Sequence, residues 1–290
     1  MADANILTMP QQPIRRPAVA GSWYPASPGD LRRAVQSYLA SAAAGARVGG
    51  VVRALIAPHA GLIYSGPVGA FAYAALAGRQ YDLVVLVGPS HYVAFDGVAV
   101  MRRGAFDTPL GALPIAEAEV EALVDSSDVV HEMPEPHGRE HSLEMQLPFL
   151  AHLLPTVPIV PIMMGQQTRE TIAELGRALG TVLAGRNALL VASSDLSHYH
   201  EAQTASRLDR RVVELVSRYD TTGLLDALQQ FPEHACGGGP IVSVMLAAAA
   251  LGAREARVLR YADSGDVSGD KSAVVGYMAA VVGEFEDGES

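Results

Sequence analysis

The chain has 290 residues, 49% of them hydrophobic and 18% charged, enough for one large core or two at most. A formal net charge of −10 without any long basic run argues against nucleic acid and anionic membrane as partners. The single cysteine, Cys236, excludes an intrachain disulfide; with no secretory signal pattern and no apolar run longer than residues 241–251, the sequence reads as a soluble cytoplasmic protein.

Residues 1–16, with two prolines and little apolar periodicity, read as a disordered tail. Residues 17–283 read as one α/β domain, and residues 284–290 as an acidic tail. Trp23 lies in a Gly- and Pro-flanked loop, where it is either an aromatic plug on the core or a pocket wall. Asp30 is the expected N-cap of an amphipathic helix over 31–44. The run 51–56 predicts a strand ending in APHAGLIYSGP, with Pro67 in the first turn of a helix over 68–76. The valine-rich run that precedes Gly88-Pro89 predicts a strand buried on both faces, with another at 98–101. TPLGALP predicts a loop or short hairpin, and 115–124 a helix. Ser142 is a candidate cap for a helix starting in SLEMQL. Strands are expected at 159–164, 189–192, 256–261 and 272–282. Helices are expected at 170–183, 202–218, 222–229 and 241–251. The whole predicts a central, mostly parallel or mixed sheet flanked by helices.

Three of these runs deliver a histidine just past a buried strand: His59 in APH, His91 in GPSH and His198 in SSDLSH. Open α/β sheets bind ligands beyond the carboxyl ends of their strands. One such histidine is most simply a hydrogen-bonded loop residue; three at equivalent positions point to a shared site. Cys236 opens Cys-Gly-Gly-Gly-Pro before a helix, where backbone amides and the helix dipole favour a thiolate. It reads as a nucleophile, a metal ligand or a small buried apolar residue. Histidine plus thiolate suits iron, copper or zinc and disfavours magnesium and calcium. Asp195 and His198, three residues apart, share a face if that segment is helical, as an acid–base pair requires. A capping aspartate beside a surface histidine is the plainer alternative. Glu140 and His141 precede a helix start, and Tyr64 is either a packed aromatic or a pocket phenol. Met163 and Met164 read as core.

The segments AGSWYP, APHAGLIYSGPV, GPSHY, EHSLEMQLPFL, SSDLSHY and CGGGP, in this order, resemble the MEMO family, labelled in prokaryotes the B protein of the AmmeMemoRadiSam system. The resemblance implies a fold similar to the LigB-like class III extradiol dioxygenases. It carries over His59, His91 and Cys236 as metal-position residues, with cysteine where the dioxygenases have glutamate. Asp195 and His198 match further pocket residues, His198 at the position resembling the catalytic histidine, and Glu140 and His141 line the same region. The resemblance implies iron or copper, with zinc as an alternative. Its partners would be a small molecule or peptide, and the radical SAM and AMMECR1-like proteins of the system name. Eukaryotic members have charged residues where this chain has Gly237-Gly238-Gly239, which implies a wider pocket and does not carry over a eukaryotic peptide-binding role. Three functions remain open: a metal-binding oxidoreductase-like protein of unknown substrate, a metal-free cysteine enzyme, and a scaffold with a vestigial site.

Overall fold

The structure, a computed structural model, describes residues 13–286. In chain order, the first half comprises β1 (Ile14–Arg15), α1 (Pro28–Ala42), β2 (Val51–Ala57), α2 (Leu62–Ala74), β3 (Leu83–Pro89), β4 (Val98–Val100), β5 (Ala105–Phe106), β6 (Leu113–Pro114), α3 (Glu117–Ser126), β7 (Val130–Glu132) and α4 (Glu135–Gly138). A 3-10 turn at Glu144–Gln146 then leads into α5 (Leu147–Leu153). There follow β8 (Ile159–Met164), α6 (Arg169–Val182), β9 (Ala188–Ser193), β10 (His198–His200), α7 (Ala202–Ser217), α8 (Thr221–Gln230), α9 (Gly238–Ala250), β11 (Glu255–Asp263), α10 (Gly265–Ser268) and β12 (Val274–Glu284).

The main sheet runs in the order β10-β12-β2-β9-β3-β8-β4-β7, with β11 also on β12. Strands β2, β9, β3 and β8 are parallel; β12 and β4 run antiparallel at their two sides, so the sheet is mixed. Every residue of β3, β8 and β9 is buried, which is why these strands read as unbroken apolar runs. Helix α9 packs on β2, β3 and β9 with α6 and α8 beside it, while α2 lies on β2 and β12 under α1. A single hydrophobic core runs through all of these layers. Among the described residues no helix is long and apolar enough to cross a membrane.

Several local expectations shift. The cap of α1 is Ser27, whose hydroxyl accepts the Asp30 amide, rather than Asp30 itself. Helix α2 begins at Leu62, so Pro67 sits inside it. The hydrogen bond that Pro67 cannot donate would have gone to the carbonyl of Ile63, in the first turn of the helix. The loop TPLGALP closes as the hairpin of β5 and β6. The ordered body starts earlier than the expected tail boundary. Ile14–Arg15 pair with β5, and Arg15 is buried by its bonds to the Glu144 carboxylate and to the carbonyls of Glu140 and His137. At the other end β12 reaches Glu284 and Phe285 is buried, so these two residues belong to the ordered body. Residues 1–12 and 287–290 lie outside the described residues.

Candidate metal centre

The site forms where three adjacent parallel strands end. Strand β9 lies between β2 and β3, with Ser193 level with Ala57 on one side and Ala192 level with Val87 on the other. His59 follows β2 by two residues and His91 follows β3 by two, so both are delivered to the same edge of the sheet, across the end of β9. Their rings meet edge to face at 5.3 Å between centroids. Cys236 arrives from the other direction, just before α9. Its Sγ lies 3.3 Å from His59 Nε2 and 3.6 Å from the Asp195 carbonyl. One ligand atom from each of His59, His91 and Cys236 lies within 4.8 Å of the others. The loop can come this close because position 237 is glycine: a Cβ there would stand 2.3 Å from the Ser193 carbonyl. Likewise a Cβ at 238 would meet Leu228 at 2.8 Å, and one at 239 would meet Met164 Sδ at 2.6 Å. The triple glycine therefore serves tight packing of the loop.

The hydrogen-bond network decides which ring nitrogens face inward. The Ser193 hydroxyl donates its one proton to the Ser142 carbonyl at 2.6 Å and accepts from Gln146 Nε2 at 2.8 Å. Its remaining contact, 2.9 Å to His59 Nδ1, therefore takes the proton from the ring. His59 is left with a free lone pair on Nε2, the atom beside the thiol. Gln146 is held in turn by the Tyr73 hydroxyl at 2.9 Å and the Pro58 carbonyl at 3.1 Å. His91 is set in the same way by Glu140, which accepts its Nδ1 at 2.9 Å and its amide at 2.6 Å. The same carboxylate takes the amides of His141 and Ser142 at 2.8 and 3.0 Å. Burial pushes the Glu140 carboxyl up, but the side-chain and amide bonds from His91, with the Ser142 amide, outweigh it and hold the group at about 2. Glu140 is thus an ionised acceptor that turns His91 Nε2 toward the pocket, the carboxylate–imidazole arrangement common around metal ligands.

His91, Glu140 and His141 also bring donor atoms together. In that group Glu140 Oε1 already accepts three N–H donors and Oε2 one, so the first trio is the better-formed one. His141 stacks on His91 at 4.6 Å and meets His59 edge-on at 5.5 Å. Burial lowers His141 to about 4 against the opposing charge of Glu140, and burial with the other histidines takes His59 well below the usual range. Both rings are neutral at neutral pH, as ligation requires. Trp23, half-buried, leans on His141 at 4.4 Å and is both core packing and a wall of the cluster.

Asp195 and His198 do not form the expected pair. The segment between β9 and β10 is not helical. The Asp195 carboxylate instead accepts the amides of His59 and Ala60 at 2.7 and 3.3 Å and is raised to about 7 by burial, which those bonds only partly offset. It fixes the turn that carries His59. His198 stands on β10; its Nε2 is buried with no hydrogen-bond partner among the described residues, and its pKa is lowered by burial and by His91. Burial and the Asp195 carboxylate push the Cys236 thiol up, overriding the amides and helix dipole expected to favour a thiolate. Ser142 caps no helix; its hydroxyl donates to the Pro89 carbonyl at 2.8 Å. Tyr64 lies on the first turn of α2, 37% exposed and without a hydrogen bond to the cluster among the described residues.

Four residues that sequence reasoning did not single out hold this arrangement: Ser193 and Gln146 through His59, and Arg15 and Glu144 beneath it. Glu144 is fully buried, and its carboxylate accepts the amides of Ala18 and Val19 and the Tyr24 hydroxyl as well as Arg15. The stretch EHSLEMQ thus supplies Glu140 to His91, Glu144 to the first loop and Gln146 to Ser193.

Fold and pocket together define a mixed-sheet α/β protein with two imidazoles and a thiol converging at its strand ends. The chain belongs to the Memo-like protein family, which it matches over residues 15–281, in line with the motif resemblance. It is 38% identical over 276 residues to a MEMO1 family protein of Methanothermobacter thermautotrophicus, covering 91% of this chain and 98% of that one. It is 39% identical over 274 residues to a MEMO1 family protein of Pyrobaculum aerophilum, covering 92% and 98%. Among solved structures it is similar to an uncharacterized protein of Escherichia coli K12, with TM-score 0.56 and 18% identity over 81% of this chain and all of that one. That likeness concerns the fold alone.

Proposed function

We propose that the pocket holds a transition-metal ion, iron or copper before zinc, on His59 Nε2, His91 Nε2 and Cys236 Sγ, and that the protein is an oxidoreductase acting on a small molecule. The observation that supports this most is the convergence of one ligand atom from each of these three residues within 4.8 Å, with each imidazole proton directed away from the pocket by Ser193 or Glu140. Two neutral nitrogens and a soft sulfur form a donor set that suits these metals. A cation would also stabilise the thiolate that the surrounding protein otherwise disfavours. When bound, the metal would supply Lewis-acid and one-electron chemistry. The chain's own residues would do the rest. Glu140, Ser193 and Gln146 orient the rings, and Asp195 fixes the turn carrying His59. His198 Nε2, without a hydrogen-bond partner among the described residues, is the group that would exchange a proton with a bound molecule. A metal-free cysteine nucleophile fits less well, because the thiol is surrounded by buried groups that oppose its ionisation.

Metal analysis of protein purified without oxygen tests the reading. We expect near-equimolar iron, copper or zinc that is lost in His59→Ala. Metal-free protein that also fails to take up any of the three on reconstitution would overturn it.

A further inference from the structure

Gln167 sits between β8 and α6, past the end of β8, the strand next to β3 on the side away from β9. Its carboxamide spans the Cys236 loop. Nε2 donates to the Cys236 carbonyl at 2.7 Å, and Oε1 accepts the Gly239 amide at 2.7 Å. These two bonds fix the orientation of the amide, because a carbonyl only accepts and a backbone N–H only donates. The segment bearing Gln167 is itself tied down. Gly165 and Gln166 donate their amides to the Gly97 and Phe95 carbonyls at 3.0 and 2.8 Å. Gln229 Nε2 donates to the Gln167 carbonyl at 3.0 Å, and Thr168 caps α6. On the other side of the loop the Ser194 hydroxyl accepts the Gly237 amide at 2.9 Å. Cys236 is therefore gripped twice: by Ser194 from the end of β9, and by Gln167 from beyond β8.

We infer that Gln167 is a positioning residue for Cys236, setting where the sulfur sits relative to the two imidazoles and hence how tightly that trio binds a metal ion. The inference rests on the metal reading above. The grip is specific to an amide. Glutamate at this position keeps an acceptor for Gly239 but sets a carboxylate oxygen against the Cys236 carbonyl; methionine keeps the length and offers neither bond. Gln167 borders a cavity of about 440 Å³ with Ile172, Leu228 and Gln229 in its walls, so a side chain of methionine length has room.

The test is titration of the metal-free, full-length chain with Co(II), whose thiolate charge-transfer absorption reports a bound sulfur. The wild type is expected to show that band and Cys236→Ser to lose it. Gln167→Met is expected to bind Co(II) 10–100-fold more weakly, the usual cost of removing an outer support of a metal ligand, with a shifted or weakened band. Gln167→Glu is expected to weaken binding as well, and it decides the matter by the same readouts if the methionine variant does not fold. A merely structural role would lower the melting temperature of the metal-free variants and leave Co(II) affinity and spectrum at wild-type values. That result, with wild-type uptake intact, overturns the inference alone. A wild-type chain that takes up no Co(II) overturns the metal reading and this inference with it.

Discussion

Replacing Glu140 by glutamine removes the charge from a carboxylate that is 1% exposed and accepts four N–H groups, two from His91 and one each from His141 and Ser142. Burial opposes ionisation there, and the His91 and Ser142 bonds more than repay it, so the group is held at about 2 against an ordinary 4.5. That difference corresponds to about 3 kcal/mol of folding stability at neutral pH. Because the folded carboxyl is depressed, this stability is fully present above pH 4.5 and is lost as pH falls toward 2. Glu140→Gln should therefore unfold about 3 kcal/mol more easily at pH 7, a drop of roughly 6–12 °C in melting temperature for a chain of this size. Its deficit should shrink steadily below pH 4.5, since glutamine does not titrate. Chemical denaturation of both proteins between pH 7 and pH 3.5 measures this. A variant within about 0.5 kcal/mol of wild type at pH 7 would refute the reasoning, because the four bonds would then contribute nothing net.

Other consequences are as specific. His137 is lowered to about 4, chiefly by burial against a smaller opposing effect of its bond to the Ala99 carbonyl, so it is neutral when folded. Its contribution is present above pH 6.5 and lost as pH falls through 4, and His137→Gln should flatten the stability profile in that window by up to about 3 kcal/mol. Gln146→Leu takes the Tyr73 hydroxyl's acceptor and a donor from the Pro58 carbonyl and the Ser193 hydroxyl, all in the core. It should cost about 2–4 kcal/mol in urea unfolding. Gly237→Ala drives a methyl to 2.3 Å from the Ser193 carbonyl at the end of a central strand. A loss of about 1–3 kcal/mol is expected, together with weaker Co(II) uptake, as Cys236 is pushed off its place.

The parts of the fold legible in the sequence were those with a one-dimensional signature. Strands β3, β8 and β9 are buried throughout, so their apolar runs, punctuated by Pro89 or by the polar turn after Ser193, gave them to within two residues. Strand β10 escaped because it is three partly exposed residues on a sheet edge and has no pattern to read. Placing histidines beyond strand ends brought His59 and His91 together, with His198, and Cys236 joined them through the family resemblance. Which strand lay between them, and therefore the part played by Ser193, required the sheet order. Polar groups buried in a tertiary network, such as Arg15, Glu144 and Gln146, carry no periodicity, and sequence offers no measure of their desolvation. At Cys236 the amides and a helix dipole were visible in Cys-Gly-Gly-Gly-Pro, whereas the desolvation that raises the metal-free thiol was not. Asp195 was assigned to His198 by spacing alone, and the extended backbone of that segment gave its carboxylate to His59 and Ala60 instead.

The central claim is a metal held by two imidazoles and one thiolate. X-ray absorption at the metal edge of the iron- or copper-loaded chain reads that donor set directly. The account predicts one sulfur and two imidazole nitrogens around the ion, with the sulfur absent in Cys236→Ser. A first shell of nitrogen and oxygen alone in the wild-type protein would contradict it.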